Sequence, residues 1–291
     1  MGDWFRQTAM PLIPITSAAD PRVVPFADLR DRQSLNRFGR FIVEGDLVVN
    51  RLLVSDYEVE SLLIAEDQLH HVAFSPEMTV YTAPRQLMEE LAGFGFHRGI
   101  LACARRPAPR PLTDWLPPGE QSVTVVVCAS IQDPENLGGI FRNCAAMGVR
   151  HVLLSEQSAD PLSRRVLRVS MGTVLKLDFR QTPDLAGELP RLREEFGLHL
   201  AATVLDPTAP QLATAPCPHR LALLLGNERN GLEPAVVKAC DSRWTIPMRS
   251  GTDSLNVAVA SGIFLYHFSC ERDVLRPGYQ PGEPDNPAGQ H

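Results

Sequence analysis

Five polar residues of the sequence have side chains that could do chemistry: Asn136, Arg142, Glu228, Ser254 and Asn256. Four of them stand between strand-like segments and helices, and Arg142 lies six residues after Asn136, near the second turn of its helix. The carboxyl ends of parallel strands meet at one edge of an α/β sheet, and ligands bind there. We therefore expect a small-ligand site at this edge. Taken singly, Asn136 and Ser254 could also be helix caps, Arg142 an exposed helix residue and Glu228 a turn residue.

The last third of the chain predicts the elements that would position Glu228 and the residues after it. The apolar run Leu221–Leu225 is too short for a helix and predicts a buried strand that ends just before Glu228. Glu233-Pro234 begins a helix, because proline is tolerated in a first turn. A second short strand is expected at Trp244–Ile246, followed by a long apolar helix at Val257–His267.

Upstream of this region, strand-like and helix-like segments alternate. Strands are expected at Val123–Ser130, His151–Ser155, Leu175–Phe179 and Leu198–Val204. Helices are expected at Leu137–Met147, Pro161–Val169 and Asp184–Phe196. This alternation predicts an α/β fold, a parallel sheet with helices on both faces. Because chains rarely thread their own loops, the pattern alone favours an ordinary doubly wound sheet.

The first part of the chain predicts a smaller α/β unit of its own. Its strands are expected at Phe41–Val43, Val59–Ala65, Met78–Tyr81 and Arg98–Ala104, and its helices at Leu47–Val54 and Pro84–Leu91. Residues 107–120 are rich in proline and predict a linker. Residues 1–27 are expected to be irregular, and the proline- and glycine-rich residues 273–291 a disordered tail.

Composition and charge limit the class of protein. The 291 residues are 44% hydrophobic and 21% charged, which is ordinary for a globular protein. No apolar run approaches the length of a membrane span, and the amino terminus lacks a signal-peptide pattern. The six cysteines form no CxxC pair, which favours reduced thiols in the cytoplasm and suggests no metal site.

Arginines cluster in one segment of the chain, at Arg30, Arg32, Arg37 and Arg40. Guanidinium groups suit contacts with phosphates, so the cluster could follow a nucleic-acid backbone. It could equally be a solvated helix face that nearby aspartates neutralise. The net charge of −6 argues against a generally basic surface, and the arginine content can also reflect genome composition.

Three motifs in order resemble those of the SpoU/TrmH family of RNA ribose 2′-O-methyltransferases, within the SPOUT superfamily. The segment Asp133–Cys144, with Asn136 and Arg142, resembles the first motif. The second is similar to GNERNGL, which begins at Gly226, and the third to DSLNVAVASGIFLYH, which begins at Asp253 and follows Ile-Pro-Met. Arg229-Asn230 departs from the small residues that are usual in the second motif.

The resemblance implies more about the fold than the residues alone do. It implies that residues 121–272 form a SPOUT-like domain with a deep trefoil knot, in which the segment around Ile246–Ser261 passes through a loop. It also implies that residues 28–106 form an L30e-like, RNA substrate-binding domain before the knot. Phe41–Gly45 and His97–Gly99 match that domain's pattern loosely.

Site residues follow from the resemblance, motif by motif. The implied catalytic residues are Asn136, Arg142, Glu228, Ser254 and Asn256. The residues implied to hold S-adenosylmethionine are Thr203, Leu225, Gly226, Asn227, Ile246, Met248 and Leu255. Arg168 and Ser170, in an R-x-S-x-G segment, are implied to face RNA together with the arginine cluster, although this segment could also be a helix carboxyl terminus.

The implied activity is methyl transfer from S-adenosylmethionine to a ribose 2′-hydroxyl by a cytoplasmic homodimer that associates through its carboxy-terminal domain. No metal or covalent nucleophile is needed. Arg142 could assist deprotonation, or, since guanidinium stays protonated, lower the hydroxyl pKa electrostatically. We favour 23S-type ribosomal RNA as the substrate. The alternatives are transfer RNA, a non-catalytic RNA-binding protein and, from the α/β pattern alone, a dinucleotide-dependent oxidoreductase; no GxGxxG follows the first strand of residues 121–272.

Overall fold

Two β-sheets organise the computed structural model, which describes residues 12–27, 39–92, 98–116, 119, 121–249 and 254–270. The first sheet contains β1 (Leu12–Pro14), β2 (Arg40–Glu44), β3 (Val59–Ala65), β4 (Val80–Ala83) and β5 (Ile100–Arg105). Its strand order is β1-β4-β3-β5-β2, and β5 runs antiparallel to both of its neighbours. The helices are α1 (Asp46–Leu53) and α2 (Arg85–Ala92), with 3₁₀ helices at Pro21–Phe26 and Glu66–His71.

A one-turn helix, α3 (Leu112–Trp115), leads into the second sheet. That sheet contains β6 (Val123–Cys128), β7 (His151–Ser155), β8 (Asp178–Thr182), β9 (His199–Thr203), β10 (Arg220–Leu225) and β11 (Ser242–Trp244). Its order is β11-β9-β10-β6-β7-β8, and every pair is parallel. The helices are α4 (Pro134–Ala146), α5 (Arg164–Val169), α6 (Leu185–Glu194), α7 (Pro234–Ala239) and α8 (Val257–Cys270), with 3₁₀ helices at Thr173–Lys176 and Leu212–Thr214.

Helices cover both faces of the second sheet, as its residue alternation requires. Along β6, Val126 and Cys128 pack with α4, α5 and α8, whereas Val125 and Val127 pack with α6 and α7. Because side chains of a strand alternate between faces, a strand buried on both sides is apolar throughout. The predicted α/β fold with a parallel sheet and helices on both faces is confirmed.

The amino-terminal segment differs from its prediction. Residues 12–27 are not irregular, because β1 pairs with β4 and the following 3₁₀ helix begins at a cap provided by Asp20. Ile15, Val23 and Phe26 are buried in a core on one face of the first sheet. Burial of three apolar side chains stabilises a proline-containing segment whose sequence shows no helix or strand periodicity.

Three further predictions need correction. The linker, 107–120, is packed over part of its length, because Leu112 and Trp115 are buried beneath the second sheet. The strand expected at Leu175–Phe179 begins only at Asp178, since residues 173–176 continue the preceding turn as a 3₁₀ helix. The strand expected at Trp244–Ile246 ends at Trp244.

Several expectations fall on residues outside the described ranges. These are the arginine positions Arg30, Arg32 and Arg37, the tail 273–291 and part of the segment implied to form a knot, residues 250–253. The knot and the L30e-like assignment therefore stay predictions.

Direct contacts join the two sheets. Arg106 donates to both oxygens of Asp160 at 2.9 and 2.6 Å, and Arg164 pairs with Glu44 at 2.5 Å. One apolar core includes side chains of α1 from the first unit and of α4 and α5 from the second. The amino-terminal unit thus rests directly on the helices that follow the first motif.

Candidate functional site

Asn136 lies inside the first turn of α4 and does not cap it. The cap is Asp133, whose carboxylate accepts a hydrogen bond from the Glu135 amide at 2.8 Å, and Pro134 occupies the first helical position. The side chain of Asn136 points into the protein, and the residue is only 8% exposed. Its capping interpretation is therefore wrong, and its amide is available to the site.

Three of the five predicted catalytic side chains form a hydrogen-bonded row, which we call the amide relay: Asn256, Asn136 and Glu228. Asn256 Nδ2 donates to Asn136 Oδ1 at 2.7 Å, and Asn136 Nδ2 donates to Glu228 Oε1 at 3.0 Å. The Asp133 amide donates to the same carboxylate oxygen at 3.3 Å. The relay links all three sequence motifs at the carboxyl ends of β6 and β10.

The relay also fixes the start of α8. Asn256 Oδ1 accepts hydrogen bonds from the amides of Ala258 at 2.9 Å and Val259 at 3.3 Å. Asn256 is therefore the residue that caps α8, and the expectation that Ser254 does so is wrong. Since capping uses the amide oxygen, only the amide nitrogen is directed towards Asn136.

The turn that presents Glu228 is built by Asn227. Asn227 Oδ1 accepts from the amides of Arg229 and Asn230, and its Nδ2 donates to Ser130 O at 2.8 Å. These bonds fix the side chain within the turn, and the cofactor contact of Asn227 stays a prediction.

Gly226 has no room for a larger residue. A Cβ there would lie 2.4 Å from backbone atoms of Gly231 and Leu232, because the backbone at Gly226 is in direct contact with the backbone on the other side of the turn.

The other predicted cofactor residues line the same sheet edge. Leu225 is fully buried, while Ile246, Met248 and Leu255 are half-buried. Thr203 Oγ1 donates to Leu224 O at 2.8 Å and so ties β9 to β10. Within the described ranges, the backbone groups of Ile246 and Met248 make no hydrogen bond. Apolar walls with available backbone donors and acceptors fit an adenine-containing ligand.

The structure does not bring Arg142 and Ser254 into the relay. Both are exposed, and neither side chain forms a hydrogen bond or ion pair with any residue that the structure describes. Arg142 lies on α4 one residue before Asn143, on the flank of the face that packs against α8. A guanidinium without a protein partner is available to an anionic substrate.

The predicted RNA-facing residues have different positions. Arg168 is exposed at the end of α5, but Ser170 is fully buried and its hydroxyl donates to Leu167 O at 3.2 Å. The prediction that Ser170 contacts RNA is wrong, because the helix ends there and turns its side chain inward. Arg40 pairs with Glu60 at 2.5 Å, which offsets its charge.

Asn143 has a structural role that the sequence interpretation missed. Its Nδ2 donates to Ala258 O at 2.7 Å and to the buried hydroxyl of Ser261 at 2.9 Å. It follows Asn136 by seven residues, a spacing that returns to the same helix face. That spacing could have identified it as a partner of α8.

Buried thiols near the relay are not nucleophiles. Burial raises the pKa of Cys128 to about 12, and the negative charge of Glu228 acts in the same direction. Burial raises the pKa of Cys144 as well. Both thiols are therefore neutral near neutral pH, and a thiolate mechanism does not fit them.

The described ranges contain neither a metal-binding cluster nor a membrane-spanning helix. No cluster of three or more His, Cys, Asp or Glu side chains there could bind a metal ion. In the same ranges no helix is long and apolar enough to span a bilayer. The cysteines Cys103, Cys128, Cys144, Cys217 and Cys240 are free thiols.

Comparison with known proteins gives matches over most of the chain. Residues 123–266 match the model of the SpoU rRNA Methylase family. A Mycobacterium bovis protein named uncharacterized tRNA/rRNA methyltransferase Mb0905 is 37% identical over 269 residues, which cover 89% of this chain and 92% of that protein. The 23S rRNA (guanosine-2′-O-)-methyltransferase RlmB of Acinetobacter baylyi is 31% identical over 200 residues, covering 67% and 79%.

A solved structure described as an RNA 2′-O ribose methyltransferase has a similar fold. It superposes with a TM-score of 0.73 at 28% identity and covers 89% of this chain and 99% of its own. The match includes both sheets, so the amino-terminal unit and the parallel sheet occur together in that protein as well.

Proposed function

The chain belongs to the SpoU rRNA methylase family, and we propose that it transfers a methyl group from S-adenosylmethionine to a ribose 2′-hydroxyl of 23S-type ribosomal RNA. The general activity, methylation of transfer or ribosomal RNA, follows from the family. The observation that most supports the finer proposal is the amide relay, in which Asn256, Asn136 and Glu228 join the three family motifs. RlmB, named for 23S ribosomal RNA, supports the substrate class.

The proposed donor supplies an activated methyl group when bound. Leu225 and Leu255 would contact its apolar parts, and the backbone groups of Ile246 and Met248 would hydrogen-bond its base. The relay then orients the carboxylate beside this pocket. Alignment of the ribose oxygen with the methyl carbon is the main requirement of the transfer, since the new bond forms opposite the one that breaks.

Arg142 and Glu228 have separate proposed tasks. Guanidinium stays protonated, so Arg142 stabilises the negative charge that develops on the 2′-oxygen and binds the neighbouring phosphate. Glu228 Oε1 already accepts two hydrogen bonds, from Asn136 and Asp133. Its Oε2 has only a contact at 3.4 Å with Asn227 and therefore has capacity to accept a hydrogen bond from the substrate.

The test is methyl transfer from labelled S-adenosylmethionine to total RNA that is then separated into ribosomal and transfer RNA. We expect label on a ribose of 23S RNA with the wild type. Arg142→Ala should lower the rate by about 10²- to 10³-fold, the effect of removing one charge-stabilising donor. The control is Arg191→Ala, which removes a partly exposed arginine of α6 that pairs with Glu195.

The outcomes separate the parts of the proposal. Label in transfer RNA alone would show that the proposed reaction is correct and that the substrate is transfer RNA instead of ribosomal RNA. Equal rates for Arg142→Ala and Arg191→Ala would remove Arg142 from the mechanism. Failure of the wild type to bind S-adenosylmethionine would favour the non-catalytic RNA-binding alternative.

We also propose that the protein is a cytoplasmic homodimer. Exposed apolar residues of α8 recur at Val259, Ile263 and Tyr266, which are 53%, 40% and 57% exposed. Their spacing of four and three residues places them on one helix face. A second copy that covers this face would also approach Arg142 on the neighbouring α4.

The proposed cytoplasmic location is supported by the cysteines. Free thiols are compatible with a reducing compartment.

A further inference from the structure

A cleft of about 1220 Å³ opens between the amino-terminal unit and the edge strand β8. Its walls include Arg51 of α1, the start of the linker, and His151 and Asp178, the first residues of β7 and β8. Glu228 follows the opposite, carboxyl end of β10. Since a strand of five residues spans about 17 Å, this part of the cleft lies at the far edge of the sheet from the amide relay.

The cleft is positively charged in a chain of net charge −6. Among the residues that the structure describes, seven arginine and lysine side chains line it, against four aspartates and glutamates. Arg105 and Arg180 also pair with Glu60 and Glu188 just outside the lining, which leaves a local surplus of one positive charge in a protein with more acidic than basic residues. Arg150 and Lys176 are exposed in this lining and are accessible to a ligand.

Two arginines of the cleft, Arg106 and Arg110, are held in place by ion pairs. Arg106 makes the bidentate contact with Asp160, and Arg110 pairs with Asp178. The linker is tied to β8 as well, because Trp115 Nε1 donates to Asp178 O at 3.2 Å and Arg180 Nε to Arg110 O at 3.0 Å. The cationic walls are therefore built on fixed backbone rather than on a free linker.

The size and lining of the cleft favour a polymer over a small molecule. Small-ligand pockets usually measure about 300–1,000 Å³, whereas this cleft is larger, open and rich in arginine. Trp115 is only 2% exposed, so its ring offers no stacking face to a base. Cationic groups with few exposed aromatic faces bind the phosphate backbone rather than the bases.

We propose that the β8 cleft binds the phosphate backbone of the RNA substrate as a second contact, remote from the methyl-transfer site. This inference rests on the proposed function for the identity of the RNA. The contact is independent of sequence and depends on salt, since phosphate neutralisation releases counterions. It fixes how the RNA lies across both units while the relay acts on one ribose.

The test compares two double variants of the full-length protein that remove equal charge. Lys176→Gln with Arg150→Gln changes the cleft, and Lys238→Gln with Arg191→Gln changes positions on α7 and α6 outside the cleft. Binding to a fluorescein-labelled RNA stem-loop and to deproteinised 23S ribosomal RNA is measured at several salt concentrations. Binding of S-adenosylmethionine and thermal unfolding show that both variants are folded.

We expect the cleft variant to bind RNA about tenfold more weakly at low salt, with the control unchanged. The logarithm of the binding constant falls linearly with the logarithm of the salt concentration, and each lost phosphate contact makes that slope shallower by roughly 0.7 to 0.9. The cleft variant, which loses two cations, should therefore have a slope that is shallower by about one to two. The Michaelis constant for RNA should rise while the rate at saturating RNA stays the same. Identical binding and salt slopes for the two double variants would overturn the proposal.

Failure of the cleft proposal is distinguishable from failure of the proposed function. If the wild type methylates ribosomal RNA and the cleft variant behaves like the control, the proposed function stands and the second RNA contact is wrong. If the wild type binds RNA through the cleft but does not methylate it, the second contact stands and the proposed activity is wrong. A wild type that binds neither RNA overturns both.

Discussion

At the residue scale, the direction of each hydrogen bond in the amide relay is fixed by the groups at its two ends. The α8 amides require an oxygen from Asn256, which leaves its nitrogen to donate to Asn136. Asn136 must then donate to Glu228 with its own nitrogen. Because its oxygen accepts from Asn256 and its nitrogen donates to Glu228, Asn136 positions the Glu228 carboxylate.

This arrangement predicts the effect of Asn136→Asp. The new carboxylate would face Glu228 across a contact of 3.0 Å, and two carboxylates so close raise the pKa of one of them. A pKa that is raised in the folded state gives stability at low pH and loses it as pH rises. The variant should therefore lose about 1.5–3 kcal/mol near pH 7.5 and less near pH 5 by urea unfolding.

The matched variant is Asn136→Ala, which removes the same hydrogen bonds without adding charge. Its loss of stability should not depend on pH over this range. A deficit of Asn136→Asp that is equal at both pH values would show that Glu228 is not an ionised acceptor in the relay.

The sequence predicted which residues meet in the relay but not how they are bonded. Asn136, Glu228 and Asn256 are polar residues at strand ends, and sheet geometry brings such positions together. The cap of α4 was misassigned because Asp133 and Asn136 are both good capping residues, and only the backbone shows where the helix begins. Ser170 was misassigned for a related reason, since exposure at a helix end depends on the turn that follows.

At the scale of elements, α4 and α8 pack unusually closely because a glycine faces an alanine. A Cβ at Gly139 would lie 2.8 Å from the Cβ of Ala258. Asn143 bonds to Ala258 O one turn further along α4. The distance between these helices therefore determines whether Asn256 reaches Asn136.

Substitution of Gly139 tests this coupling between packing and activity. Gly139→Ala should force the helices apart and cost about 1–3 kcal/mol, reduced by the better helix propensity of alanine. Methyl transfer should fall more than stability implies, because the relay bond of 2.7 Å lengthens. Adding Ala258→Gly should restore activity, and a double-mutant cycle of unfolding energies measures the coupling. Additive effects of the two substitutions would contradict direct contact.

Element predictions succeeded where burial imposes a simple pattern. The strands β6, β7, β9 and β10 are mainly apolar and buried over most of their length, and they were predicted within a few residues. The strand prediction for this region began too early, because the apolar composition of residues 173–177 also suits a buried 3₁₀ turn. The strand β1 was not predicted, because its three residues pair with β4, which is distant in sequence.

At the scale of the whole molecule, the amino-terminal unit is placed by ion pairs that link it to the elements after the first motif. Arg164 with Glu44 and Arg106 with Asp160 connect the two sheets, and the apolar core continues between them. A rigid placement would let one RNA contact both the β8 cleft and the relay. The sequence identified the two units but could not give this arrangement, because pairs such as Arg106 and Asp160 are 54 residues apart.

The exposed stripe of α8 leads to the last prediction, on assembly. Val259, Ile263 and Tyr266 present apolar surface on a helix whose other side is packed against α4. Ile263→Glu would place a carboxylate in the middle of a dimer interface, where an unpaired charge costs several kcal/mol. We expect wild-type dimers and mutant monomers by light scattering, with loss of methyl transfer if the partner contributes to the site. Val24→Glu changes a residue of the 3₁₀ helix Pro21–Phe26 that is 62% exposed and should leave the dimer intact. A monomeric wild type, or a dimeric Ile263→Glu, would show that this stripe is not the interface.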